Sequence, residues 1–125
     1  MATATSISTY QMLIGGEWVD RDNKIPVVNP YDGVVFDAVP RASIADVDHA
    51  VASAVRGAAA MAALPAYRRY EILHRAADLL GERTEEFART ITMEEGKVIG
   101  EGRTEVSRAV QTIGLSAEEA KRLYG

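Results

Sequence analysis

The hydrophobic pattern of this 125-residue chain changes period at Ser43, and that break constrains the fold more than any other feature. Ahead of it lie four short apolar runs separated by turn-forming residues. Gln11–Ile14 and Glu17–Val19 flank Gly15-Gly16, a pair suited to a tight hairpin because glycine tolerates positive φ. Ile25–Val28 and Val34–Phe36 flank Asn29-Pro-Tyr-Asp-Gly33, with turn formers at nearly every position. Two hairpins in series are therefore expected over residues 10–40, after a disordered tail over residues 1–9.

Beyond Ser43 the apolar residues recur at three- and four-residue steps, the spacing of one helix face. Ser43 suits an N-cap, and Asp46 sets a carboxylate beside the first-turn N–H groups. Ile44, Val47, Val51, Ala54, Val55, Ala58 and Met61 form the first stripe, and Pro65 should stop it. A second helix is predicted to about Leu80, burying Ile72, Leu73, Ala76, Ala77 and Leu80, with Gly81 at its C-terminal end. Thr84 is the predicted cap of a third, with Glu85 and Glu86 aligned with its dipole and Gly96 closing it. A fourth should cover about Glu101 to Leu123, with Val106, Ala109, Val110, Ile113, Ala117, Ala120 and Tyr124 as its apolar stripe. The fold class is thus α+β, two N-terminal hairpins and then about four helices, with residues 41–125 as the helical region. Two short hairpins cannot supply an independently stable sheet. The layout implies a part of a larger fold, and a self-sufficient compact α+β domain is the alternative.

Chemistry is sparse. With no cysteine there is no disulfide, thiolate ligand or thiol nucleophile. The net charge of −4 is well interspersed, and the basic pairs Arg68-Arg69 and Lys121-Arg122 have acidic neighbours, which argues against nucleic acid as a partner. The alanine-rich run Ala58–Ala66 is about half a membrane span, and the opening residues lack a secretory pattern. No membrane partner is expected, and cytoplasm is the default compartment.

No serine sits in a Gly-x-Ser-x-Gly elbow, and His49 and His74 read as solvated helix residues. Gly96-Lys-Val-Ile-Gly-Glu-Gly102 tempts one toward a phosphate loop. It lacks the Ser or Thr after Gly-Lys, the third glycine of a dinucleotide fingerprint and a preceding strand, so it reads as a helix stop followed by a helix start. The carboxylate pairs Asp46/Asp48, Glu85/Glu86, Glu94/Glu95 and Glu118/Glu119 read as solvated faces. No catalytic or cofactor-binding residue is assigned.

Taken in order, several segments resemble the opening of the aldehyde dehydrogenase superfamily. They are Ile14-Gly-Gly-Glu-Trp-Val19, Val28-Asn-Pro-Tyr-Asp-Gly-Val-Val35, Val39–Val51, Arg69–Leu80, Glu94-Glu-Gly-Lys97 with Glu101 and Glu105-Val106, and Ala117–Arg122. The resemblance runs from about Met12 to Gly125 and implies a larger Rossmann-like α/β enzyme, using NAD or NADP to oxidise an aldehyde substrate to a carboxylic acid. That family's cysteine nucleophile, general-base glutamate, oxyanion-stabilising asparagine and main cofactor contacts lie beyond this chain's end. The expectation is accordingly a truncated portion without catalysis of its own, prone to homo-oligomerise through apolar surface left uncovered. A non-catalytic interaction module docking on a partner subunit is the alternative.

The resemblance also implies two sites. A monovalent cation would be held by the Val28 carbonyl and Glu94, oxygen donors that suit a hard cation. Arg108 would face the substrate's anionic tail, since a guanidinium grips carboxylate or phosphate bidentately. Pairing of Arg108 with Glu105 or Glu101 along its helix is the competing reading.

Overall fold

A computed structural model describes residues 8–123. The chain divides into two compact units, one ending at Ala59 and the other beginning at Ala60.

In the first unit, Met12–Ile14 (β2) and Glu17–Val19 (β3) pair antiparallel around Gly15-Gly16. Both glycines have positive φ, 63° and 88°, as a two-residue hairpin turn with the strands' own twist requires. Lys24–Val28 (β4) and Val35–Pro40 (β5) form the second hairpin, with a register shift between Val27 and Val28. Its loop is closed by main-chain bonds from Asn29 N–H to the Val34 carbonyl (2.9 Å) and Gly33 N–H to the Asn29 carbonyl (2.9 Å). The Asn29 and Asp32 side chains accept from the N–H groups two residues on, at 3.0 Å each. These are the side-chain turns that the composition of the loop predicts.

β5 continues four residues past its predicted end at Phe36 because it is the central strand. Ser8–Thr9 (β1) pairs parallel along its other edge, in the order β1-β5-β4. The expected tail over residues 1–9 is therefore corrected at Ser8 and Thr9, whose backbone is held by the ladder; residues 1–7 lie outside the described part. Pro26 is compatible with β4 because that strand is at the sheet edge, where a missing N–H costs no ladder bond.

The first helix, Ile44–Ala63 (α1), begins as predicted after Ser43. The Ser43 hydroxyl accepts from the Asp46 N–H at 3.2 Å, while the Asp46 carboxylate accepts from the Ser43 N–H at 2.8 Å. This reciprocal arrangement satisfies two N–H groups that an uncapped helix start leaves open. Its apolar stripe lies at the surface: Ile44 is 83% exposed, Val47 53%, Val51 57% and Val55 66%. Periodicity marked the face correctly, but no described element covers it.

In the second unit, Ala66–Glu82 (α2), Thr84–Glu95 (α3) and Ile99–Ala120 (α4) follow Pro65. α4 is the common partner, with α2 and α3 each packed along it. Small residues make the seams: Ala77 on α2, Ala88 on α3, and Gly102, Ala117 and Ala120 on α4 are all buried, together with Val106. A methyl added at Gly102 would stand 2.7 Å from the Ala88 carbonyl oxygen, so only glycine allows α3 this close.

Several predicted boundaries shift. α2 runs through Gly81, and Thr84 is not a cap: its hydroxyl donates back to the Gly81 carbonyl at 2.7 Å, bridging the last turn of α2 to α3. α4 starts two residues before Glu101, on the Val98 carbonyl, and ends at Ala120. Gly96 closes α3 as predicted, at φ 73° with its N–H on the Thr92 carbonyl. Of the second predicted stripe, Ala77 is buried, Leu73 and Leu80 are half-buried, and Ile72 and Ala76 are exposed. Tyr124, predicted on the α4 stripe, lies outside the described residues.

Candidate functional site

Two polar arrangements bear on a candidate site, one in each unit. In the first, Asp46 is buried at 5% exposure, contrary to the solvated face predicted for Asp46 and Asp48. The Arg21 guanidinium grips it with Nε at 3.1 Å from Oδ2 and Nη2 on Oδ1. The Ser43 hydroxyl adds a bond to Oδ2 at 2.8 Å. These donors, Arg21 first and then the Ser43 N–H and hydroxyl, lower the Asp46 carboxyl from 3.8 to about 2. A carboxylate that accepts four bonds, one at Oδ1 and three at Oδ2, is a structural anion rather than a proton-transfer group.

The second arrangement is an open groove of about 390 Å³ at the start of α4, lined by Lys97, Gly100, Glu101, Thr104, Glu105 and Arg108. α4 sets the last five on one side, since steps of three and four residues return to the same helix face. Lys97 enters from the connection that Gly96 turns. Its ammonium lies 2.6 Å from Glu105 Oε2 and 2.6 Å from Glu95 Oε2. Glu105 and then Glu95 hold that ammonium above the ordinary lysine range. Neither acid expected to pair with Arg108 does so: Glu105 is taken by Lys97, and Arg108 has no ion pair among the described residues. Gly100 leaves open space where a side chain would stand. The groove can therefore present a guanidinium to a small anion.

Sequence reasoning singled out Arg108 and missed Lys97. Its signals were the Gly96-Lys97 dipeptide, weighed as a phosphate loop, and its place in the Glu94–Lys97 segment of the resemblance, neither of which pointed to Glu105. Gly100 and Gly102 lie inside α4, and the described residues contain no strand–glycine loop–helix cradle for a dinucleotide. The two residues of the expected cation site belong to different units. Val28 ends β4 at the register shift and is exposed. Glu94 sits in the last turn of α3, exposed and without an ion pair among the described residues, while its neighbour Glu95 pairs with Lys97. His49 and His74 are exposed as expected, with His74 Nδ1 3.2 Å from Asp78 Oδ2. Among the described residues no helix is long and apolar enough to cross a membrane.

Residues 18–125 match the aldehyde dehydrogenase family. The chain belongs to that family. Among curated aldehyde dehydrogenases, 3-sulfolactaldehyde dehydrogenase of Priestia aryabhattai is 42% identical over 125 residues, covering 100% of this chain and 26% of the relative. The NADP(+) succinate-semialdehyde dehydrogenase of Escherichia coli (strain K12) is 38% identical over 123 residues, covering 97% and 26%. The crystal structure of aldehyde dehydrogenase 21 from Physcomitrella patens, in complex with the reaction product succinate, superposes with a TM-score of 0.90 at 40% identity. It covers 96% of this chain and 25% of that one. The chain thus spans about a quarter of the length of these aldehyde dehydrogenases and corresponds to their amino-terminal portion. The hairpins and four helices are a part of that larger fold, as their composition implied.

Proposed function

We propose that this chain is the amino-terminal portion of an NAD(P)-dependent aldehyde dehydrogenase for aldehydes with an anionic tail, oxidised to the carboxylic acid. Arg108 is the residue that receives the tail. The observation carrying this reading is that Arg108 faces a groove with no acidic partner, its nearest helical acid being held by Lys97. Support comes also from the relatives named above, whose names carry a sulfonate- or carboxylate-bearing aldehyde or product. The chain contributes no nucleophile, having no cysteine, and no dinucleotide cradle among its described residues. The cofactor, which supplies the hydride acceptor, and the reacting groups are accordingly assigned to the rest of the enzyme.

In the complete enzyme, Arg108→Ala should raise KM for an anionic aldehyde roughly tenfold or more, the worth of a hydrogen bond to a charged group. An uncharged aldehyde should change less than about twofold. Equal effects on both substrates would remove the anion-binding role.

A cytoplasmic homo-oligomer completes the reading, and the exposed apolar face of α1 is what supports association.

A further inference from the structure

Arg108 invites a question that its own position does not answer: why an exposed guanidinium, three residues after a glutamate on the same helix, is left without that partner. Glu105 and Arg108 are at i and i+3, the spacing at which opposite charges on a helix meet. The other acid of the groove, Glu101, is seven residues before Arg108, about 10 Å along the axis, and forms no pair with it among the described residues, although Arg75 and Glu82 on α2 meet at that spacing. Glu105, one turn away, is the nearer internal competitor for any anion that approaches Arg108. Its carboxylate is engaged at 2.6 Å by Lys97, and Lys97 is anchored on its other side by Glu95 at the end of α3.

The left-handed turn at Gly96 brings Lys97 into this position from outside α4. All three charges, Lys97, Glu105 and Arg108, line the one groove.

We infer that Lys97 is a positioning residue that sequesters Glu105 and so keeps Arg108 available to a carboxylate or sulfonate. This rests on the reading of Arg108 as an anion site and adds the device that holds it open. Without Lys97, Glu105 swings to Arg108, occupies its donors and repels an incoming anion. An exposed pair of this kind is worth up to a factor of about five in binding.

The test uses the complete enzyme at low ionic strength, with succinate as probe and its inhibition constant as readout, folding being followed by circular dichroism. Lys97→Gln should weaken succinate binding about two- to fivefold, and adding Glu105→Gln should restore it, a rescue that a purely structural role for Lys97 would not produce. Glu105→Gln alone should leave affinity within about twofold, because that charge is already neutralised. Unchanged affinity in Lys97→Gln, failure of the double variant to recover, or a gain above about fivefold in Glu105→Gln would each overturn the inference. If Lys97→Gln does not fold, the Glu105→Gln result decides alone. An Arg108→Ala variant that binds succinate as tightly as the unmodified enzyme would instead overturn the anion-site reading itself, and the inference with it.

Discussion

The side chain that anchors the first unit is Asp46, which caps α1 through Ser43 and receives Arg21 from the turn ahead of β4. Its carboxyl titrates lower in the folded chain, at about 2, than the ordinary 3.8. The folded state thus prefers the ionised form. Its stabilising effect is complete above the unfolded value and fades as pH falls through the folded one. Acid unfolding should accordingly draw on Asp46 between pH 3.8 and about 2. Asp46→Asn should lower Tm at neutral pH and flatten that acid limb, as read by thermal melts across the range. A limb as steep as that of the unmodified chain would show that other carboxylates carry the acid sensitivity. Ser43→Ala, which removes the cap hydroxyl, should cost about 1 kcal/mol at any pH above that window.

Among the helices, α4 carries the packing of the second unit, and two of its glycines do opposite things. Gly102 is buried against α3, where an added methyl would lie 2.7 Å from the Ala88 backbone oxygen. Gly114 has open space on the same helix. Gly102→Ala should therefore force α3 and α4 apart at a cost of roughly 1–3 kcal/mol. Gly114→Ala should stabilise by roughly 0.5–1 kcal/mol, because the unfolded chain loses freedom that glycine would retain. Urea denaturation of the two variants side by side checks both signs, and two variants of equal stability would refute the close-approach account. The Arg103–Glu85 fork, at 2.7 and 2.9 Å, also links α3 to α4. Both side chains are exposed, so the buried Ala88–Gly102 seam is the better target.

For the molecule as a whole, the buried apolar set among the described residues is small and made largely of alanine, whereas long apolar side chains remain at the surface. Ile44, Val47, Val51 and Val55 repeat along one face of α1 with no described partner. Surface of this kind drives association. Static light scattering should find the chain above its monomer mass of 13.5 kDa, and the double substitution Val47→Lys, Val51→Lys should shift it toward monomer. A monomeric chain that the substitutions leave unchanged would mean the face is not adhesive in water.

Element type was legible in the sequence because it depends on local spacing and on turn chemistry. Gly15-Gly16, the Asn29–Gly33 loop, the Ser43 and Asp46 cap and the Gly96 stop all stand where their residues predict. Family membership was legible too, through the order of weak motifs rather than any one of them. Arg108 could be named from its place in that order, but not its lack of a partner. That depends on Lys97, which reaches Glu105 only because a left-handed turn redirects the chain before α4. The same limit explains the rest. Periodicity identifies an apolar face but not whether anything lies against it, and the stripe of α1 is exposed while that of α4 is partly buried. Local composition placed Asp46 among solvated acids, and only the return of Arg21 from a distant turn made it a buried anion with a guanidinium partner. Spacing is a property of neighbours in the chain, whereas cover and charge pairing are properties of neighbours in space.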